Sequence, residues 1–223
     1  FHTFKIIYIF CDMLQKIGNS KQAIALVPVA GMLLFLIFYA IAATHYPGGS
    51  MVSPGHPGFD FKNNYLCDLM DGYAINGEVN SSSVYARIAF GLLCLSLMLL
   101  WYLIPTLFGT KRRVLKLMRL SGILSMVTAL FLASGIHDLI TRISGIFGIL
   151  ALIVLCMELF KKGSRKLAIL GALTLLMILA NFYIYESESA LERLPLLQKF
   201  TFLCAITFFF LLNISLYRQL KNP

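Results

Sequence analysis

The hydrophobic pattern resolves into long apolar blocks broken by short polar stretches, and six blocks come near the roughly 20 residues a helix needs to cross a bilayer. They run Ala23 to Thr44, Val84 to Phe108, Leu120 to Ile136, Leu139 to Phe160, Leu167 to Tyr185 and Phe200 to Tyr217. The third is the shortest, at the lower limit of a crossing. A further apolar stretch, Phe1 to Ser20, carries Lys5, Asp12, Lys16 and Asn19 at helical spacing, which suits a helix lying in the membrane interface. The pattern therefore predicts an all-α membrane protein: an interfacial helix over 1–22, then one domain over 23–223 with six transmembrane helices in a single bundle. The connection from Thr44 to Ser83 is far longer than the others, making a long first outer loop.

Composition sharpens this picture. The chain is 59% hydrophobic and 13% charged, about half the charged fraction of an ordinary soluble domain, which excludes that class. A net charge of +9 would suggest nucleic acid in a soluble chain, but here it follows topology. Lys111, Arg112, Arg113, Lys116 and Arg119 crowd the second connection, and Lys161, Lys162, Arg165 and Lys166 the fourth. The positive-inside rule then places both termini in the cytoplasm of a multi-pass inner-membrane protein, with the long loop outside and no nucleic-acid partner. The start lacks a small-residue cleavage site, so a signal peptide is not expected, and the missing initiator Met suggests a trimmed chain. Cys94, Cys156 and Cys204 fall in spans and Cys11 on the reducing side, so Cys67 is expected to have no disulfide partner within the chain.

The polar residues that could carry chemistry gather on the outer side. The long loop holds His45, His56, Asp60, Asn63, Asn64, Asp68, Asp71 and Glu78, and Tyr46-Pro47-Gly48-Gly49 forms a turn after the first span. The tight turn between spans three and four carries Ser134, His137 and Asp138, with Arg142 one helical turn further on and able to pair with Asp138. Ionisable groups at that depth are costly unless paired or facing a polar cavity. Asn181, Glu186, Glu188, Glu192 and Arg193 lie near the outer end of span five and beyond it, and Arg87 heads span two, placed to snorkel toward the interface. Each of these also has a plainer reading as a solvated loop residue, a cap or a surface ion pair. Metal-binding HxxxH and HExxH pairs, paired zinc cysteines, a GxxxxGK loop and a GxSxG elbow are all absent. A metal would require the loop to bring His45, His56 and Asp68 to His137, and none is assigned. Ser134, three residues before His137, is a weaker nucleophile candidate.

The runs Tyr46-Pro47-Gly48-Gly49, Gly58 through Leu69, Asn80-Ser81-Ser82-Ser83 and His137-Asp138 resemble the prokaryotic membrane proteins of the domain of unknown function 998 family. That pattern has YPGG, a GYxFxxNxLSDLG stretch, an Asn-Ser segment and a later His-Asn or His-Asp. The likeness extends from span one to span four; Cys67 stands where Ser is usual and Met70 where Gly is usual. A broader similarity is to the Frag, DRAM and Sfk group of six-span proteins, some of which act in lipid or glycolipid-anchor handling. The resemblance implies a fold and candidate positions more than a reaction.

These readings converge on an outer polar site that binds, and could transform, the headgroup of a membrane lipid. His137 would be acid or base, with Asp68 or Asp138 orienting it and Asn64, Arg87, Arg142 and Glu186 contacting substrate. Asp68 and His137 are expected to meet although 69 positions separate them. Two other classes stay open: a non-enzymatic scaffold or partner subunit for another membrane protein, and a proton-coupled carrier. The carrier is disfavoured because the spans hold no central carboxylate, Glu158 lying near the inner end. An open cavity beneath the polar groups would favour the first reading and a mutually satisfied, closed set the scaffold. No cofactor is assigned.

Overall fold

The computed structural model describes residues 21–109, 112–133 and 136–221; the interfacial helix expected over 1–22, Cys11 and Ser134 lie wholly or largely outside them. Six long helices follow one another: α1 (Lys21–Thr44), α2 (Ser83–Leu103), α3 (Arg113–Ala129), α4 (His137–Lys161), α5 (Arg165–Ser187) and α6 (Leu194–Lys221). Short 3-10 turns occupy Cys67–Met70, Ile104–Phe108 and Leu191–Arg193. Among the described residues there is no strand beyond two isolated bridges in the long loop, Gly48 with Pro57 and Tyr73 with Val79. All the long helices except α3 are long and apolar enough to cross a membrane. The chain is thus an all-α, multi-pass membrane protein.

Two helix boundaries depart from the hydrophobic pattern. The block expected from Leu120 to Ile136 is instead a helix of 17 residues beginning at Arg113, so Lys116 and Arg119 lie within it. Long basic side chains tolerate this by laying their stems along the helix and carrying the charge aside, and the Arg119 guanidinium stacks 4.8 Å from the Tyr102 ring centre. The second block splits at Ile104 because Pro105 lacks the N–H that an α-helix requires, and the chain tightens into a 3-10 turn ending at Gly109, whose φ is +63°.

Successive helices pack side by side and α1 packs against α6, closing the bundle into a ring. Small residues permit the closest approaches. A Cβ on Gly31 would stand 1.6 Å from Ser96 Oγ, and one on Gly122 would stand 2.2 Å from Trp101 Cδ2. Met32, Leu100, Trp101, Leu155 and Phe208 are fully buried in the ring, while Ile37, Ile146, Ile169, Leu176 and Leu203 are more than half exposed on its outside. Such an apolar exterior fits surroundings of lipid rather than water. The ring has a loop end, where the long loop and the α3–α4 turn lie, and a basic end, where Arg112, Arg113, Lys161, Lys162, Arg165 and Lys166 lie.

Candidate functional site

The long loop folds onto the ring as a cap held by backbone pairing. Gly49 N–H donates to His56 O at 2.8 Å and Gly58 N–H to Pro47 O at 3.2 Å. Gly49 has a φ of +86°, and an added Cβ would stand 2.5 Å from Asn76 N and 2.9 Å from Pro54 O, so two backbone strands close on a position only glycine fits. Asn80, nearly fully buried, ties the other side: its Nδ2 donates to Asp71 O at 2.8 Å and Asp68 O at 3.1 Å. Its Oδ1 accepts from Ser82 N–H at 3.0 Å.

The centre of the cap is Asn64, which has no exposed surface. Its Nδ2 donates to Gly49 O at 2.8 Å and Asp68 Oδ2 at 2.9 Å, and its Oδ1 accepts from Asp60 N–H at 2.8 Å. Asp68 Oδ2 also accepts from Tyr65 N–H at 2.8 Å. From α6, Lys199 donates to Asn64 O and, at 3.0 Å, to Pro195 O, with its ammonium 5.5 Å and 5.3 Å from the Phe59 and Phe61 ring centres. Gln198 Oε1 accepts from Leu66 N–H at 2.8 Å, and Tyr39 of α1 donates to Leu66 O at 3.0 Å. Two helices, α1 and α6, are therefore laced to one loop segment. Burial raises the Asp68 carboxyl above the ordinary carboxylate range, opposed by the hydrogen bonds from Asn64 and Tyr65 and by the Lys199 charge. Burial likewise pushes the Cys67 thiol up to about 12. The hydrogen bond from Asn63 holds the Asp60 carboxyl below its ordinary value.

A second polar group sits at the α4–α5 rim. Tyr185 OH donates to Asp138 Oδ1 at 2.7 Å, and His137 Nδ1 lies 3.1 Å from the same oxygen. Arg142 pairs with Glu186 through Nε at 2.7 Å and Nη2 at 3.1 Å. The hydrogen-bonded partner of Arg142 is thus Glu186 across the helix pair, not Asp138 on its own helix. Nor do Asp68 and His137 share a hydrogen bond among the described residues. Asp68 is held by its own loop, and His137 lies against Asp138 while its charge also reaches Asp71 of the loop. Desolvation raises the Asp71 carboxyl, and His137 and Arg87 draw it back down. Arg87 Nε donates to Met70 O at 2.8 Å, which sets its guanidinium beside the loop.

The expected set thus divides in two. Asn64 and Asp68 belong to the cap, whereas His137, Asp138, Arg142 and Glu186 belong to the α4–α5 rim, with Arg87 and Asp71 between cap and rim. His45 is spent on Ile41 O at 2.9 Å and His56 lies by Gly58 O at 3.4 Å. Among the described residues no three His, Cys, Asp or Glu side chains gather closely enough for a metal ion. Sequence reasoning passed over Lys199 and Gln198; the available signal was a lysine directly before an apolar block, at a depth where a charge requires partners.

Below the loop end, the ring holds a partly open apolar cavity of about 250 Å³ to which all six helices contribute, from Met32 of α1 to Phe209 of α6. Phe90, Ala129, Ser144 and Thr201 line its upper part, and Trp101, Leu152 and Phe209 its lower part. The hydroxyls that reach it are occupied: Ser125 donates to Ser144 O and Thr201 to Leu197 O, both at 2.8 Å. An apolar interior of this kind accommodates a hydrocarbon rather than a polar solute. No protein-family model, curated protein or solved structure matches the chain.

Proposed function

We propose that the protein binds a membrane lipid, seating an apolar chain in the central cavity beneath the polar layer at the loop end. The observation that carries this reading is the cavity itself: about 250 Å³, apolar, and reached by every helix of the ring. Arg87 stands three residues above Phe90, roughly 4.5 Å along α2, so a guanidinium lies about one turn above the cavity lining. With Asp71, His137 and Asp138 it forms the face offered to a headgroup. In this reading the bundle spans the membrane six times, with α3 as the short crossing, the loop end extracytoplasmic and both termini cytoplasmic, an orientation that the positive-inside rule supports. Of this face, His137 and Asp138 also fall within the runs that resemble the 998 family. Asn64 and Asp68 act as cap residues, and Arg142 and Glu186 as a rim clamp.

The scaffold reading has one observation in its favour: the cap residues Asn64, Asp68 and Asn80 are mutually satisfied and closed. The cavity separates the two. Purified protein carried through detergent exchange should retain a lipid identifiable by mass spectrometry after organic extraction. Ala205→Phe, which fills the cavity, should release it, whereas Leu176→Phe on the exposed outer face should not. Retention that is absent, or indifferent to Ala205→Phe, would favour the scaffold.

A further inference from the structure

The basic end holds a second cavity, of about 260 Å³, lined by Leu107, Phe108, Arg112, Glu158, Lys161 and Lys162. Glu158 is 2% exposed, and its carboxylate receives the Arg112 guanidinium on both oxygens and Lys161 Nζ at 3.1 Å. Lys162 Nζ donates to Leu107 O at 2.7 Å and to Gln219 Oε1. Two cations thus pair with one carboxylate and a third, Lys162, lines the same cavity, leaving positive charge in excess. Each ammonium is anchored while keeping at least one proton beyond the bonds named, which lowers the ordering cost of taking an anion.

The surroundings specify what kind of anion. Ile153, Met157 and Lys161 recur four apart and share one stripe of α4. Ile153 and Met157 are 41% and 53% exposed, so an apolar track runs from the cavity along the outside of the bundle. A free phosphate has no use for that track. We infer that this cavity is a binding site for an anionic phospholipid, whose phosphate lies among Arg112, Lys161 and Lys162 and whose chain follows Met157 and Ile153. It stands apart from the central cavity and does not depend on what that cavity holds.

The test uses the full chain in detergent, with native mass spectrometry reading binding of phosphatidylglycerol, phosphatidylcholine and inorganic phosphate. Phosphatidylglycerol should bind in preference to phosphatidylcholine and persist in millimolar phosphate. Lys161→Gln with Lys162→Gln should weaken it roughly tenfold, the loss of one or two charge-assisted hydrogen bonds. Lys161→Arg with Lys162→Arg should retain it. Arg165→Gln with Lys166→Gln removes the same charge from the same connection at residues that do not line the cavity and should leave binding within about twofold of wild type, the screened effect of solvated surface charge. Equal loss in the two glutamine pairs would mean diffuse surface attraction and overturn the site. Equal binding of the two lipids, or displacement by phosphate alone, would overturn it from the unmodified protein, whatever the folding of the variants.

Discussion

Asn64 shows how much of the cap depends on a single amide. Its three hydrogen bonds join Gly49, Asp60 and Asp68, and truncation would strand two backbone groups away from water. Asn64→Ala should cost about 2–4 kcal/mol, read as a fall in unfolding free energy in micelles. Gly49→Ala should cost a similar amount, about 2–4 kcal/mol, since it adds left-handed strain to a backbone clash. Asp68 gives a pH signature. Its folded pKa is raised by burial, so the folded state holds this proton more tightly than the unfolded chain. Its contribution is then most favourable below the ordinary carboxylate value, near 3.9, and falls as pH rises through the folded value. The melting temperature of Asp68→Asn relative to wild type should therefore increase from pH 4 to pH 7. A constant difference across that range would mean that the Asp68 carboxyl is not shifted.

Among the helices, packing turns on small residues facing large ones. Gly122 lies against Trp101, the sole tryptophan, and Gly122→Ala should cost about 1–3 kcal/mol through overpacking and shift the tryptophan emission. Unchanged emission and stability would show that α2 and α3 are not so close. The helices themselves were legible as apolar blocks, because a bilayer crossing demands length and hydrophobicity that few other elements share. The start of α3 was not legible, since Lys116 and Arg119 look like loop residues until Tyr102 is seen to receive the guanidinium. The cap was legible in part. The Gly48-Gly49 turn and the polar loop could be read directly, but Lys199 and Gln198 reach Asn64 and Leu66 from 135 and 132 positions away, and no local pattern encodes such a partner. Asp68 and His137 were expected together because each needed a partner; Asp68 is hydrogen-bonded by Asn64 and Tyr65, and His137 lies against Asp138.

Taken together, the six helices form a ring that separates a loop end, closed by a hydrogen-bonded cap, from a basic end rich in exposed lysine and arginine. The charge asymmetry sets the expected orientation. A cysteine introduced at Arg113 should react with a membrane-impermeant maleimide only after the membrane is opened, and one at Ser53 in intact cells; the reverse pattern would invert the topology. The apolar cavity inside the ring could not be read from the sequence, because its lining comes from six separate blocks whose residues look like ordinary core. Trp101 lines that cavity at 2% exposure and is a built-in reporter. Titrating the purified protein in detergent with a lipid carrying a brominated chain should quench its fluorescence to saturation, and Ala205→Phe should abolish the saturable part. Fluorescence that is unaffected, or quenched linearly and equally in both proteins, would contradict a lipid chain bound inside the ring.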